Sequence, residues 1–339
     1  MLRDPIPAVP PQAPDHQDRE RTMAAANAHD DLKPAPLWAN MVARVTRRLP
    51  RGKSRFIEWL CRGSNQRFVG KMVKELGGYQ FDCSLRDTVA REVFFGGCIA
   101  AQEMSFVRAV LGPGMKFVDV GANWGLFTLV AAHLVGSSGR VVALEPDPRM
   151  LAKLKSNVER NHLTQVRVFD VAAADRDSSV TLAAHDHEGE NWGISRLVDR
   201  GSTTQPTFTV QSRRLDPLLD EAALETVDLV KIDVEGAEEL VLAGMEAGLR
   251  EHRYRRIMLE LHPRQLEERG RVVRDVIKIL MDNDYKGCAL DCSEAGTRKA
   301  YYHPWLDFSQ FVCPLEQGLS DSSPHTIWLA PSISMLAAM

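Results

Sequence analysis

Acidic residues and a histidine recur in this chain directly after apolar segments. Polar runs follow such segments at residues 119–123, 233–235 and 260–262, and single carboxylates follow them at Glu145 and Asp170. If each segment is a buried strand, these side chains reach one edge of a parallel sheet, because open α/β sheets bind ligands outside the carboxyl ends of their strands. Carboxylates and histidine at such an edge can bind hydroxyl groups or accept a proton. The spacing therefore predicts one site assembled from several strands.

The first of these runs contains a glycine-bearing turn between a strand and a helix. Gly121 and Gly125 carry no Cβ, so backbone N–H groups and a helix N-terminus can approach a ligand closely there. A dinucleotide fold has G-x-G-x-x-G at this turn, but here Asp119 and Asn123 replace turn glycines. An acid repels a pyrophosphate and suits a ligand with a cationic centre and free hydroxyls, such as S-adenosylmethionine. A purely structural strand–turn–helix is the alternative.

Two further segments offer the other contacts that a nucleoside needs. Glu145, followed by Pro146, ends the second apolar segment about 20 residues after the glycines, where doubly wound folds hold ribose hydroxyls. The third segment ends at Asp170 and continues into small residues, including Ala172, that leave room for a flat ring such as adenine. The alternatives are a solvent-exposed acid at Glu145 and ordinary packing of the small residues.

S-adenosylmethionine is a methyl donor, and methyl transfer from it is a displacement in which donor and acceptor must be aligned. An alcohol acceptor must also lose its hydroxyl proton, and three residues are candidates for the base. Asp233 ends a buried strand, where desolvation is expected to raise its pKa. Glu235 precedes Gly236 and a helix N-terminus, which favours the charged carboxylate, and His262 titrates near neutral pH. As alternatives, Glu235 caps the helix and His262 is a turn residue bonded to backbone.

A divalent cation is another means of acidifying the acceptor hydroxyl. Asp233, Glu260 and His262 offer a ligand set that suits magnesium or manganese. Residues at neighbouring strand ends do not by themselves fix a coordination geometry, so base catalysis without a metal is the preferred hypothesis.

The loop around Asn191 is predicted to contact the acceptor. Trp192 lies in a polar loop over the strand ends, where an exposed aromatic ring can stack on a sugar or another planar group, and Ser195 follows it. The alternative is a loop that its tryptophan merely anchors.

Alternating apolar segments predict the elements that position these residues. Strands are expected near residues 116–120, 140–145, 166–171, 227–233 and 255–261, with late strands near 285–290 and 325–329. Helices are expected near residues 125–136, 147–161, 236–248 and 271–284, and an additional β pair at 179–183 and 207–212. Strands that alternate with helices imply a doubly wound α/β fold with a mostly parallel, seven-stranded sheet.

Four regions are predicted along the 339 residues. Residues 1–35 form a proline-rich tail that is expected to be disordered, and residues 332–339 form a frayed end. Residues 36–110 are predicted to be a basic extension and cap, helical to about Gly77, with a short strand pair or cap at 79–83 and then a helix through Glu103 and Val107. Residues 111–331 are predicted to be the α/β domain. The basic stretch is interpreted as a solvated helical face, with an anionic acceptor, an acidic partner or a membrane surface as alternative contacts.

The composition limits the class of protein. A net charge of −3 with balanced acids and bases argues against a dedicated nucleic-acid binder. The six cysteines include no C-x-x-C pair and are predicted to be free thiols in a reducing compartment. No apolar segment follows a basic start, and none reaches the ~20 residues needed to span a bilayer. The chain is therefore expected to be a cytoplasmic enzyme without a transmembrane segment.

Taken together, these motifs resemble those of the FkbM-type S-adenosylmethionine-dependent methyltransferases, a class I Rossmann-like group. The block at residues 231–236 is the most family-specific, whereas Trp124 stands where the family more often has an aliphatic residue. The matching residues lie mainly within 115–263 and are 118–123 with Gly125, 145–148 with Leu154, Asn157 and Asn161, 215–219, 230–238 and 259–262.

The resemblance implies a Rossmann-like domain and S-adenosylmethionine as cofactor, but it does not extend to the acceptor. We expect O-methyl transfer to a small-molecule or glycan acceptor. That acceptor is expected to be a hydroxyl of a saccharide, a lipid-linked glycan or a secondary metabolite; its identity and the oligomeric state stay open. One alternative is a nicotinamide-dependent oxidoreductase, against which Asp119 and Asn123 argue. The other is a binding module that has lost catalysis, against which Asp233, Glu235 and His262 argue.

Overall fold

The computed structural model describes residues 32–49, 51–184, 195–198, 205–320 and 324–333. A strand pair lies within the N-terminal part. Its first strand falls where the sequence predicted helix as far as Gly77, and its second strand falls where a short strand pair or cap was predicted. Buried and half-exposed side chains alternate along its first strand, as they do in a strand and not in a helix. The elements of this part are α1 (Leu37–Thr46), α2 (Lys53–Cys61), β1 (Arg67–Lys71), β2 (Gln80–Ser84), α3 (Thr88–Arg91), which continues as a π-helical segment (Glu92–Gly96), and α4 (Ala101–Val110).

The remaining strands form a large sheet and a smaller one. Most of them lie where the apolar segments predicted strands, whereas the short strands at 172–173, 195–197 and 312–313 were not predicted. The full set is β3 (Lys116–Val120), β4 (Arg140–Leu144), β5 (Val166–Phe169), β6 (Ala172–Ala173), β7 (Ser178–Ala184), β8 (Ser195–Leu197), β9 (Thr207–Arg213), β10 (Leu229–Ile232), β11 (Arg256–Glu260), β12 (Lys286–Leu290), β13 (Val312–Cys313) and β14 (His325–Leu329).

The large sheet has the strand order β13-β12-β14-β11-β10-β3-β4-β5. Strands β5, β4, β3, β10 and β11 are parallel, whereas β14 inserts antiparallel between β11 and β12. The predicted seven-stranded, mostly parallel sheet is confirmed, with the two-residue β13 as an additional edge strand. Strands β6 to β9 form the smaller sheet in the order β6-β9-β7-β8, and it includes the predicted extra β pair.

Helices follow the strands of the large sheet, as a doubly wound fold requires. The predicted helix over 236–248 is divided into two short helices on either side of Gly244 and Met245. Gly244 packs in close contact with Ala174, since a Cβ there would overlap the Ala174 carbonyl oxygen. The helices are α5 (Leu126–Val135), α6 (Pro148–Arg160), α7 (Leu215–Glu221), α8 (Glu238–Ala243), α9 (Glu246–Arg250), α10 (Pro263–Glu268), α11 (Val273–Asp282), α12 (Glu294–Tyr302) and α13 (Leu315–Gly318).

The N-terminal elements and the large sheet share one hydrophobic core. Phe81 of β2 stacks on Trp124 in the glycine turn, with ring centroids 5.1 Å apart. Asn157 of α6 reinforces this contact, because its amide donates to the Trp124 carbonyl at 2.8 Å and its carbonyl oxygen accepts the Asp82 N–H at 2.9 Å. Trp124 therefore anchors the glycine turn against the N-terminal strand pair.

No single helix among the described residues is both long enough and apolar enough to cross a bilayer. The segments Thr88–Gly96 and Ala101–Val110 satisfy the criterion only when taken together, and they are bent by 71° relative to each other. Most of their side chains are buried inside the protein.

Candidate active site

Two adjoining cavities open at the carboxyl ends of β3, β4, β10 and β11. The larger one, called the main cavity below, has a volume of 260 Å³, and the second cavity has a volume of 180 Å³. Gly121, Asn123 and Asp233 line both cavities, so the two meet where β3 and β10 end. This is the sheet edge at which the sequence predicted a single site.

The backbone amides of the glycine turn are already used within the protein. The N–H groups of Gly121 and Ala122 donate to the Leu144 carbonyl at 3.1 and 3.0 Å, and the Asn123 N–H donates to Glu145 Oε2 at 2.7 Å. The next two amides also donate to acceptors within the turn. A pyrophosphate at a helix N-terminus needs free amides. The turn therefore does not fit a dinucleotide.

Gly121 lets the turn lie directly against the chain that leaves β10. Its φ is +79°, and a Cβ would overlap the Asp233 carbonyl oxygen. Gly121→Ala is expected to lower the free energy of unfolding by about 1–2 kcal/mol for the left-handed backbone and about 1–3 kcal/mol more for the overlap. Chemical denaturation monitored by circular dichroism measures this loss.

Gly63 provides the matched control for that substitution. Its φ is +71°, but a Cβ there meets nothing within 4 Å. Gly63→Ala should therefore lose only the ~1–2 kcal/mol of the left-handed backbone. Equal losses of unfolding free energy in the two variants would show that the turn is not in close contact with Asp233.

Glu145 lines the main cavity at the end of β4. The residue is 6% exposed, and its Oε1 accepts the Asp147 N–H at 2.8 Å while Oε2 binds the turn. Burial, and after it the neighbouring Asp147, raises the pKa of Glu145 to about 8. Each carboxyl oxygen keeps a further lone pair, so the group can still accept hydrogen bonds from two hydroxyl groups. Pro146 lines the same cavity beside it.

The other residues predicted to bind a nucleoside divide into two groups. Ala172 lines the main cavity, as expected for a place beside a flat ring. Asp119 is completely buried and lines neither cavity. Thr128 Oγ1 donates to its Oδ2 at 2.6 Å, and its Oδ1 has no hydrogen-bond partner among the described residues. Gly125 and the exposed Asp170 also lie outside both linings.

Asp233, Glu235 and His262 form one cluster at the main cavity. Nε2 of His262 lies 3.5 Å from Glu235 Oε2 and 3.9 Å from Asp233 Oδ1. On the other side of the ring, Nδ1 is 2.7 Å from Oε1 of the fully buried Glu238. The two carboxylates line the cavity, whereas His262 is buried behind them and lines neither cavity.

Mutual charges shift the pKa values within this cluster in different directions. Burial raises the pKa of Glu235 to about 7, although His262 opposes the rise. Burial alone would lower the pKa of His262, but the hydrogen bond to Glu238 and the charge of Glu235 raise it to about 9. Burial also acts upward on Asp233, yet Lys231 Nζ at 2.9 Å and His262 bring its pKa below the ordinary value. The predicted rise in the pKa of Asp233 is therefore wrong.

An unusual backbone conformation brings Glu235 to the cavity wall. Its φ is +51°, a left-handed conformation that costs a non-glycine residue about 1–2 kcal/mol, and Gly236 follows at +94°. The Glu235 side chain does not cap α8: Gln265 Nε2 donates to its Oε2 at 3.1 Å, while Glu238 accepts the Gly236 N–H. This strained position orients a carboxylate toward the cavity.

Charged groups of both signs line the second cavity. They include Asp233, Lys231, Glu260 and His325 from the large sheet and Glu103 from α4. His325 Nδ1 lies 2.7 Å from Glu103 Oε1, and Nε2 lies 3.5 Å from Glu260 Oε1. Burial would lower the pKa of His325, but these two carboxylates raise it to about 9. The second cavity therefore suits a zwitterionic group.

Comparison with known proteins identifies the family to which this site belongs. The model of the methyltransferase FkbM domain matches residues 119–286. The 31-O-demethyl-FK506 methyltransferase FkbM of Streptomyces tacrolimicus is 30% identical over 200 residues, which cover 51% of this chain and 73% of that protein. The chain belongs to the FkbM methyltransferase family. It is therefore an S-adenosylmethionine-dependent methyltransferase, as the sequence motifs predicted.

Further relatives and solved structures are similar to the present chain. The 2-O-methyltransferase NoeI of Sinorhizobium fredii is 29% identical over 184 residues, which cover 50% of this chain and 72% of that protein. Among solved structures, Aeropyrum pernix fibrillarin with bound S-adenosylmethionine has a TM-score of 0.37 and 14% identity, over 65% of this chain and 68% of that chain. Family membership and the occupied amides of the glycine turn both argue against the nicotinamide-dependent alternative.

The predicted acceptor loop of this FkbM methyltransferase is described only in part. Ser195 lines the main cavity, and its Oγ donates to Asp147 Oδ2 at 2.6 Å. Asn191 and Trp192 lie outside the described residues. Their contact with the acceptor stays a prediction.

Three side chains at the main cavity are close enough together to bind a cation. One potential ligand atom each from Asp233, Glu235 and His262 lies within 4.8 Å of the others. The sequence had placed Glu260 in this set; its Oε1 instead lies between His262 and His325, at 3.6 and 3.5 Å. The donor set of two carboxylates and one imidazole fits a divalent cation, so a metal stays an alternative to base catalysis.

Sequence analysis missed four charged residues that surround the FkbM site: Glu103, Lys231, Glu238 and His325. Lys231 had a local signal, because residues two apart on a strand face the same side and Lys231 precedes Asp233 by two positions. Glu238 lies in the same motif, at the start of α8. Glu103 and His325 belong to distant parts of the chain, and no local pattern connects them.

Proposed function

We propose that this FkbM methyltransferase methylates a hydroxyl of a saccharide, a lipid-linked glycan or a secondary metabolite. Two relatives support O-methyl transfer, since one is named a 2-O-methyltransferase and the other a methyltransferase of 31-O-demethyl-FK506. The observation that carries the proposal is Glu235. It is a carboxyl group on the cavity wall with a pKa raised to about 7, which suits a group that accepts a hydroxyl proton at neutral pH.

The main cavity suits the nucleoside of S-adenosylmethionine. Glu145 would bind the ribose hydroxyls, and Val171 and Ala172 would flank the adenine ring. The oppositely charged Lys231 and Glu103 of the second cavity would face the zwitterionic end of the molecule. When bound, S-adenosylmethionine supplies the methyl group.

The two carboxylates at the cavity wall have different roles in this proposal. Asp233 is ionised at neutral pH and lines both cavities, so it accepts a hydrogen bond from the acceptor hydroxyl and orients the oxygen. Alignment of this kind is the main requirement for an in-line displacement. Glu235 removes the hydroxyl proton, because its higher pKa makes it the stronger base of the two.

His262 acts as a positioning residue in this proposal. It is buried, lines neither cavity and has its pKa raised to about 9, so at neutral pH it is a cation behind Asp233 and Glu235. Glu238 fixes the ring through Nδ1, which leaves Nε2 facing the two carboxylates. The imidazolium thus keeps two like charges close together at the cavity wall.

The pH dependence of turnover tests these assignments. The rate at saturating cofactor should rise with pH through about 7, because Glu235 must lose its proton before it can accept another. Above about 9 the rate should fall, because His262 then loses the charge that balances Asp233, Glu235, Glu238 and Glu260. Steady-state rates between pH 5 and 10, with the acceptor held in excess, would give this bell-shaped profile.

The same assay separates base catalysis from metal catalysis. Protein dialysed against a chelator should keep its full rate and its rising limb near neutral pH. A rate that disappears on chelation and returns with magnesium or manganese would assign the cluster to a metal instead. A profile that stays flat through pH 7 would remove Glu235 as the base.

A further inference from the structure

The first two helices expose an unusual amount of apolar surface. Six of the ten large apolar side chains that are exposed in the described residues lie on α1 and α2. The most exposed on each helix are Leu37, at 83%, and Trp59, at 69%. The full set is Leu37, Trp38, Met41, Val45, Phe56 and Trp59. Single exposed apolar residues are ordinary on a protein surface, whereas a concentration on neighbouring elements indicates a contact site.

Helix α1 is apolar on opposite faces. Ala39 and Ala43 are buried against the protein. At 100° per residue, Leu37, Met41 and Val45 lie on the side of the helix away from that face, and all three are exposed. A helix that only covers a core has a polar outer face, so this second apolar stripe is not explained by the fold.

Helix α2 repeats the arrangement. Its buried side chains include Ile57 and Cys61. Trp59 lies on the opposite side, and Phe56 packs beside it with ring centroids 5.9 Å apart. Both helices pack against the π-helical segment Glu92–Gly96, so they occupy the same region of the molecule.

Arginines surround this apolar surface. Five exposed arginines lie on or next to α1 and α2, and none of them takes part in an ion pair among the described residues. The two helices contain one acidic residue, Glu58. The chain as a whole carries a net charge of −3, so the positive charge is local. The exposed arginines are Arg44, Arg48, Arg51, Arg55 and Arg62.

We propose that α1 and α2 dock the protein on the surface of an anionic lipid membrane. Tryptophan and aliphatic side chains partition into the interfacial layer of a bilayer, and arginines pair with lipid phosphates directly above it. An anionic membrane surface therefore accounts for both the exposed apolar side chains and the arginines around them. An acidic protein would account for the arginines but not for two apolar helix faces.

The buried faces of α1 and α2 pack against a segment that leads to the second cavity. Thr46 Oγ1 donates to the Phe95 carbonyl at 2.6 Å, which ties the end of α1 to the π-helical segment. That segment lies in the chain between Val89 and Ile99, and both of these residues line the second cavity. Membrane binding itself does not depend on the proposed function, although it would favour a lipid-linked acceptor.

Sedimentation of the full chain with lipid vesicles tests the proposal without any assay of turnover. The protein should bind vesicles of phosphatidylcholine with phosphatidylglycerol and should bind pure phosphatidylcholine at least tenfold more weakly. Raising the salt concentration should weaken binding to the anionic vesicles, because the ion pairs are exposed.

Substitutions separate the two components of the surface. Arg48→Ala, Arg51→Ala and Arg55→Ala together should reduce anionic-vesicle binding by about a hundredfold, at about fivefold for each arginine. Met41→Ser with Trp59→Ser should reduce it by about tenfold or more. The matched control is Val272→Ser with Met281→Ser, which changes two other exposed apolar residues and should bind as the wild type does.

Four results would overturn the proposal. The first is an absence of binding to anionic vesicles, and the second is an equal loss in the control variant. The third is a change in oligomeric state, measured by light scattering, when Met41 and Trp59 are replaced, which would make this face a contact between copies of the chain. Binding to soluble polyglutamate that needs the arginines but not Met41 and Trp59 would assign the surface to an acidic protein.

Discussion

Glu145→Ala should weaken S-adenosylmethionine binding by about a hundredfold or more while the protein stays folded. The carboxyl group keeps a free lone pair on each oxygen for two ribose hydroxyls. Truncation would leave those hydroxyls without a partner in the cavity, at about 1–3 kcal/mol each. The substitution also removes the acceptor of the Asn123 N–H, which fixes the turn. Isothermal titration calorimetry with S-adenosylmethionine measures the loss.

Glu92 supplies the control for Glu145, because both residues are 6% exposed. The Glu92 carboxylate accepts a hydrogen bond from the Tyr301 hydroxyl and lines neither cavity. Glu92→Ala should destabilise the protein and leave the cofactor affinity of the folded molecules unchanged. Comparable affinity in wild type and Glu145→Ala would move the nucleoside away from this carboxylate.

Glu235→Gln should lower turnover by about 10²- to 10⁴-fold, the range typical of a lost general base. Cofactor affinity should change little, because glutamine keeps the size of the side chain and can still meet Gln265. The rising limb of the pH profile near 7 should disappear with the carboxyl group. Stopped assays with labelled cofactor, run beside calorimetry on the same preparation, separate turnover from binding.

Glu239 is the matched control, since its side chain is 24% exposed and that of Glu235 is 20% exposed. Glu239 pairs with Arg271 on the far side of the motif and lies outside both cavity linings, so Glu239→Gln should turn over normally. Asp233→Asn should also lose turnover while it binds cofactor. Normal turnover in Glu235→Gln with an inactive Asp233→Asn would make Asp233 the base.

The central strands of the sheet could be predicted from sequence because they are buried on both faces. All four residues of β10 are buried, so the strand is a continuous apolar run apart from Lys231. The ends of such runs identify the edge of the sheet at which the strands have their carboxyl ends. Glu145, Asp233 and Glu235 follow such runs, and all three line the main cavity. The strand β1 was missed because five residues with one glycine give too short a pattern to distinguish a strand from a helix.

The electrostatics of the site could not be predicted in the same way. Burial of Asp233 was foreseen, but the sign of its pKa shift depends on Lys231 and His262, whose distances only the fold determines. His262 was predicted as a base near neutral pH, yet contacts with Glu238 and the cavity carboxylates raise its pKa to about 9. Asp119 was predicted at the ligand, whereas the structure buries it beneath the turn.

A crystal structure with S-adenosylhomocysteine is the most direct test of the central claim, which is that the cofactor lies across the ends of β3, β4 and β10. We predict ribose hydroxyls within hydrogen-bond distance of Glu145, adenine beside Ala172, and the sulfur facing Asp233 and Glu235. Density for the nucleoside outside the main cavity, or a sulfur turned away from the two carboxylates, would contradict it.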